Sequence, residues 1–105
     1  MSVTTDMNIT MVSRELVNET IGMNSKIMSC KLVDCTIDMN SVIVDCKLFN
    51  CNIDINSKIM NCELSKCTIE LNAVIVDCEI DDECEIAMED TKIIHCDIDG
   101  VMTSI

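Results

Sequence analysis

The sequence predicts an all-β fold, a single-stranded, three-sided parallel β-helix (a solenoid) of about six to seven coils. Three observations predict it. A sixteen-residue motif recurs with Ile21, Ile37, Ile53 and Ile69 at its first position, and self-similarity at a fixed period marks a stacked repeat. Apolar residues inside each copy fall two apart, at positions 1, 3, 5 and 7 and again at 10 and 12, which is strand alternation and not helical spacing. The 105 residues contain no Pro, Trp or Tyr and one Phe, so the core has to be built from thin, largely β-branched aliphatic layers that suit strands.

Position by position, the motif describes a coil. Position 3 holds Met23, Met39, Ile55 and Leu71; position 5 holds Ser25, Ser41, Ser57 and Ala73; position 7 holds Ile27, Ile43, Ile59 and Ile75. Position 10 holds Cys30, Cys46, Cys62 and Cys78; position 12 holds Leu32, Leu48, Leu64 and Ile80; position 15 holds Cys35, Cys51 and Cys67, with Cys84 one residue late. A small residue therefore precedes a large one by two, three times per copy, as in Cys46-x-Leu48, Cys51-x-Ile53 and Ser57-x-Ile59. Three short sides per copy make a triangular coil, with equivalent residues stacked at about 4.8 Å between parallel strands. About four large apolar side chains per coil are expected to fill the centre, each fully buried. Position 4 holds Asn24, Asn40, Asn56 and Asn72, and Asn suits a corner because it tolerates the left-handed backbone region. Ordering a whole coil costs more than one layer of core returns, so an isolated coil should not fold and stacking supplies the rest.

The residues carry a family resemblance. Ile21-Gly22-Met23-Asn24-Ser25-Lys26-Ile27 resembles the hexapeptide repeat of left-handed β-helices, with an aliphatic residue, a Gly or acid, an Asn and then a small residue. Cys30-Lys31-Leu32-Val33-Asp34 and Cys46-Lys47-Leu48-Phe49-Asn50 resemble pentapeptide repeats, which place a small residue two before a central Leu. The resemblance covers roughly residues 5–100, and both families use longer coils than this one. The hexapeptide resemblance implies a left-handed coil.

Along the chain, residues 1–105 form one solenoid domain. Residues 1–4 are a short polar start. Residues 5–20 are a capping first coil: Asp6-Met7-Asn8, Met11 and Leu16 keep the pattern, while Arg14 and Glu19 replace the two Cys. Those two either pair over the open end of the core or both turn outward. Residues 21–80 are the regular body. Asn-Ser-Lys-Ile-Met at 24–28 and 56–60, and Val-Ile-Val-Asp-Cys at 42–46 and 74–78, point to an internal duplication of 32 residues. Residues 81–105 are irregular: Asp81-Asp82-Glu83-Cys84 and Ile86-Ala87-Met88-Glu89-Asp90-Thr91 are each one residue longer than their counterparts, and the extra residues should bulge at corners. Gly100 fits a turn, and Val101 to Ile105 a closing tail.

Composition narrows the function. A formal net charge of −12 argues against direct binding of nucleic acid or of an anionic membrane. No apolar run approaches the length of a membrane span, and the N-terminus lacks the basic flank and apolar segment of a secretory leader. The nine Cys are odd in number and stand at core positions, where a free thiol behaves as a small apolar group. A reducing cytoplasm, or a virus particle, is the expected location. No cofactor or metal site is expected. His95 is the only His; its neighbour Cys96 points to the opposite face of a strand, which defeats a nucleophilic pair, and no C-x-x-C spacing supports zinc. The chain is expected not to be an enzyme.

Two ladders remain as candidate sites. Outward position 8 carries Val12, Met28, Val44, Met60, Val76 and Ile94, and its neighbour position 6 alternates Lys26, Val42, Lys58 and Val74. An apolar row along one flat face suggests a homo-oligomer, dimer or trimer; strand propensity alone also favours Val and Ile there. The second ladder is acidic: Asp38, Asp54 and Glu70 at position 2, Asp45 and Asp77 at position 9, and Asp81, Asp82 and Glu83 at the irregular end, joined by Glu79, Glu85, Glu89, Asp90, Asp97 and Asp99. Stacked carboxylates about 5 Å apart repel by roughly 0.8 kcal/mol per pair even in water. Gyrase-binding pentapeptide-repeat proteins imitate nucleic acid with such a rod, so the resemblance implies an inhibitor aimed at a basic or nucleic-acid-binding protein. A solvated face that maintains solubility explains the same charge. The competing class is a structural element: a spike, a capsid or filament subunit, or a trimerisation rod.

Overall fold

Each regular coil is built from three units in which a corner residue with positive φ is followed by a small inward residue, an outward residue, a large inward residue and another outward residue. A computed structural model describes residues 6–105, together with the backbone of Val3 and Thr4. The described residues contain nineteen short strands and no helix. They form three sheets that wind into a three-sided β-solenoid of about six turns, 35 Å long and 22 × 20 Å across.

The first face pairs Val3–Thr4, Glu19–Ile21, Thr36–Ile37, Asn52–Ile53, Thr68–Ile69 and Glu85–Ile86. The second face pairs Thr10–Val12, Lys26–Met28, Val42–Val44, Lys58–Met60, Val74–Val76 and Lys92–Ile94. The third face pairs Glu15–Val17, Lys31–Val33, Lys47–Phe49, Glu63–Ser65, Glu79–Ile80 and Cys96–Ile98, and adds Val101–Thr103 as an antiparallel last strand. Through the body the register sets each residue beside the one sixteen later, as in Ile27↔Ile43, Ile43↔Ile59 and Ile59↔Ile75. The register lengthens at Ile69↔Ile86 and again at Ile75↔Ile93, so both extra residues are absorbed in the corners between strands. Of the opening residues 1–5, Met1, Ser2 and Thr5 lie outside the described residues, and Val3–Thr4 pairs with Glu19 and Thr20 as a strand of the first face.

The core is a stack of three columns. Ile21, Ile37, Ile53 and Ile69 fill the first, Ile27, Ile43, Ile59 and Ile75 the second, and Leu32, Leu48, Leu64 and Ile80 the third, all buried. Each coil thus buries three large side chains, not the expected four. Met23, Met39 and Ile55 at position 3 are only half-buried and Leu71 is exposed, because position 3 is the extra residue of the one six-residue side and turns away at its corner.

The small inward residues also satisfy the backbone. The Cys46 thiol donates to the Val44 carbonyl at 3.2 Å while its Sγ accepts the Cys30 N–H at 3.4 Å. The Ser57 hydroxyl donates to the Asp54 carbonyl at 3.1 Å, and Ser41 Oγ accepts the Ser25 N–H at 3.3 Å. Thr91 takes this place in the last coil, donating to the Ala87 carbonyl at 2.6 Å. Buried backbone polar groups have to be paired, and a Cys or Ser supplies a donor and an acceptor in the volume left at a corner. Arg14 and Glu19, which replace the Cys of the first coil, form no ion pair with each other among the described residues. Arg14 is exposed and Glu19 half-buried.

Candidate functional site

The corners decide where much of the charge lies. Three residues per coil adopt the left-handed region: Asn24, Asn40, Asn56 and Asn72 at position 4, Ser29, Asp45, Asn61 and Asp77 at position 9, and Asn18, Asp34, Asn50 and Lys66 at position 14, with φ between 53° and 62°. Asn and Asp are the side chains that visit this region most readily. Asp45 and Asp77 therefore have a backbone reason to be Asp or Asn, apart from their charge. They are also spaced by a donor: Asn61 Nδ2 donates to Asp45 Oδ1 at 2.6 Å, and His95 Nδ1 lies 3.0 Å from Asp77 Oδ1. Likewise Asn50 Nδ2 donates to Asp34 Oδ1 at 2.7 Å. Carboxylates in these ladders alternate with partners, so the expected stacking of like charge does not occur there.

The eight acids expected as one binding face occupy three separate corners. Asp38, Asp54 and Glu70 follow the first face, Asp45 and Asp77 follow the second, and Asp81, Asp82 and Glu83 follow the third. Asp38 and Asp54 are half-buried, and their Oδ1 atoms accept the Met39 and Ile55 N–H groups at 2.8 Å. Glu70, Asp82 and Glu83 are exposed, and Glu83 lies 3.9 Å from Lys66 Nζ. Asp81 organises its own turn: it accepts from the Ser65 hydroxyl and from the Glu83 N–H at 3.1 Å. The Ser65 hydrogen bond holds the Asp81 carboxyl below the ordinary carboxylate range.

A contiguous acidic strip does exist, on the third face. Glu63, Glu79 and Asp97 are outward residues on adjacent strands, paired Glu63↔Glu79 and Glu79↔Asp97. Asp45 and Asp77 border the strip along one corner, Asp81 along the other, and Asp99 stands at its end. No left-handed corner or backbone hydrogen bond requires an acid at these three strand positions. Adjacent carboxylates about 4.8 Å apart repel by about 0.9 kcal/mol even in water. Lys47, 3.8 Å from Glu63, closes the strip on the side toward the N-terminus. A shallow concavity of about 520 Å³ lies over the same face, lined among others by Val33, Phe49 and Ser65, and the Lys66 ammonium sits 5.5 Å from the centre of the Phe49 ring. Glu63 is the member of this strip that sequence reasoning missed. Position 11 reads Glu15, Lys31, Lys47, Glu63, Glu79, and its mixed sign hid a run that begins only in the fourth coil.

The second face has the opposite character. Its outward residues are Thr10, Lys26, Val42, Lys58, Val74 and Lys92 in one row and Val12, Met28, Val44, Met60, Val76 and Ile94 in the other. Met28, Val42, Val44, Met60, Val74 and Val76 are half-buried by their ladder neighbours, whereas Val12 and Ile94 at the two ends are 54 % and 44 % exposed. None of the chain's 19 acids lies on these strands.

Cys96 is fully buried while His95 is an exposed corner residue with φ of 51°, so the two point apart. Burial pushes the thiols of Cys30, Cys35 and Cys96 up from the usual range. Among the described residues no group of three or more His, Cys, Asp or Glu is arranged to hold a metal ion, and no helix is long and apolar enough to cross a membrane.

No family model and no curated protein matches the sequence. Among solved structures the chain is similar to two trypsin-treated forms of QnrB1, a plasmid-mediated fluoroquinolone resistance protein. The first is 8 % identical, with a TM-score of 0.30, over 91 % of this chain and 57 % of that one. The second is 12 % identical, with a TM-score of 0.25, over 95 % and 73 %. The chain thus spans little more than half of the first. Neither likeness carries a function to this chain, and the fold rests on its own pairing.

Proposed function

We propose that this protein is a non-enzymatic acidic solenoid that binds a basic protein, such as a nucleic-acid-binding one, through the third face. The observation that carries the reading is the Glu63–Glu79–Asp97 run, where repulsion between neighbours persists at positions free to hold Thr or Asn. The strip offers a basic groove a row of carboxylates at the strand spacing, with the exposed Phe49 ring beside it. Inhibition by imitation of nucleic acid is the form of binding that such a row suits. A reducing compartment fits the thiols, eight of which fill core positions as small apolar groups.

The test is a comparison of wild type with the Glu63→Gln, Glu79→Gln, Asp97→Asn triple variant. Neutralising the strip should abolish partner binding and leave folding intact. Retained affinity would remove the reading, because the third-face run would then be solvating charge.

A second reading, a structural homo-oligomer, is favoured by a separate observation. The second face is an acid-free band of apolar residues and lysines on a chain of net charge −12. A dimer or trimer closed through this face leaves the acidic third face free, so the two readings are compatible in one molecule.

A further inference from the structure

We propose that a second copy of this chain packs face to face on the second face, about a two-fold axis parallel to the strands and midway between Val42–Val44 and Lys58–Met60. This rests on the reading of the second face as an interface between copies, and it fixes the geometry of that interface.

The surface is corrugated. Strands carrying two long outward side chains, Lys26 with Met28, Lys58 with Met60, and Lys92 with Ile94, alternate with strands carrying two short ones, Thr10 with Val12, Val42 with Val44, and Val74 with Val76. Ridges therefore recur every second strand, about 9.6 Å apart. Interfaces close at the density of a protein interior only when ridges enter furrows.

Two-fold symmetry makes each patch meet itself, and it leaves few choices. A two-fold along the solenoid axis sets each strand on its own copy, so ridges collide and furrows enclose voids. A two-fold along the strands that passes through a strand does the same. Placed between the two middle strands, it sets Lys58/Met60 on Val42/Val44, Lys26/Met28 on Val74/Val76, and Lys92/Ile94 on Thr10/Val12. Every ridge then fills a furrow and all six strands are used.

Charge agrees with shape. No lysine opposes a lysine. Lys26 and Lys58 instead lie across from the partner coils that carry Glu70 and Asp38 at the adjoining corner. The face measures roughly 25 Å by 20 Å from the strand spacing and the short dimensions of the rod. Two copies hide on the order of 1,000 Å², the lower bound for a specific interface. A second copy is the one partner certain to carry the same corrugation.

Cross-linking tests the geometry. In Met28→Cys/Val76→Cys the two sites are three strands apart in one chain, about 14 Å, whereas sheets packed face to face set opposed Cα atoms about 10 Å apart; both exceed the roughly 7 Å of a direct disulfide, and a short thiol-to-thiol crosslinker that adds a few ångströms spans only the second. Across the proposed axis they face each other twice. That crosslinker should give at least tenfold more covalent dimer than in either single variant, whose own mates lie three strand spacings apart along the solenoid, or in wild type, whose thiols are buried apart from the half-buried Cys84. Mixing the single variants Met28→Cys and Val76→Cys should give the mixed dimer while neither alone links, so the result does not depend on the double variant folding. A dimer by native mass in which Met28→Cys and Val76→Cys fail to link, or link no better than the control, overturns this geometry and leaves the interface reading standing. A monomeric or trimeric wild type overturns the two-fold, and a monomer overturns the interface reading with it.

Discussion

Three residues in each regular turn hold a positive φ, and at position 4 they are Asn in five successive coils, from Asn8 to Asn72. A non-Gly residue in that region costs about 1–2 kcal/mol, least for Asn and Asp, so Asn56→Val should destabilise the fold by about that amount while Asn56→Gly should be nearly neutral; chemical denaturation checks both. This rule also explains what the sequence concealed. Position 4 was legible because Asn repeats there, whereas positions 9 and 14 mix Ser, Asp, Asn, Lys and His and obscure the same constraint. Asp45 and Asp77 consequently read as binding charge alone, when their corner also favours Asp or Asn. The Cys columns were legible as core, but their hydrogen bonds to corner carbonyls were not, since spacing says nothing of donors. Burial raises the thiols of Cys30, Cys35 and Cys96 above their ordinary value of 9.0. The sign follows: their contribution to stability is complete below pH 9 and is lost as pH rises through the raised folded values. Thermal melts between pH 8 and 11 should show a constant midpoint and then a fall; a midpoint that rises above pH 9 would contradict it.

At the scale of elements, the two ends differ. The last strand, Val101–Thr103, runs antiparallel to Cys96–Ile98 after a tight turn in which Asp99 and Gly100 have φ of 50° and 83°. Positive φ at both central residues is the two-residue hairpin turn that Asp-Gly favours. The hairpin covers the edge of the third face that would otherwise invite further pairing. No atom lies within 4 Å of where a Gly100 side chain would begin, so Gly100→Ala acts through the backbone alone. It should loosen the hairpin by about 1 kcal/mol, read as faster amide exchange in Val101–Thr103 with the body unchanged. Equal acceleration throughout would mean the cap and body open together. Gly100 as a turn was legible in the sequence, but the antiparallel return was not, because Val101-Met102-Thr103 is too short to show its partner. The lengthened segments near Cys84 and Thr91 were legible as corner insertions, since the inward columns resume on either side of them.

At the scale of the molecule, a uniform repeat carries three unlike sides. The period dictated the stack and its register, because a slip by one residue would turn every inward Ile and Leu outward. The candidate surfaces were only half legible. The second face was, since two regular rows define it. The acidic strip was not, since position 11 changes sign along the chain, from Glu15 through Lys31 and Lys47 to Glu63 and Glu79, and the two extra residues before Asp97 hide that it continues the same row. The charge of −12 thus lies partly at corners and partly in a strip that no corner requires. The proposed binding role rests on that strip. Its most direct test is recovery of binding partners from a nuclease-treated native lysate, with wild type and the Glu63→Gln, Glu79→Gln, Asp97→Asn variant side by side. The prediction is a basic, nucleic-acid-binding protein held by wild type at low salt, released at high salt, and absent with the variant. Recovery of the same proteins by both, or of nothing beyond further copies of the chain itself, would contradict a binding role for the strip.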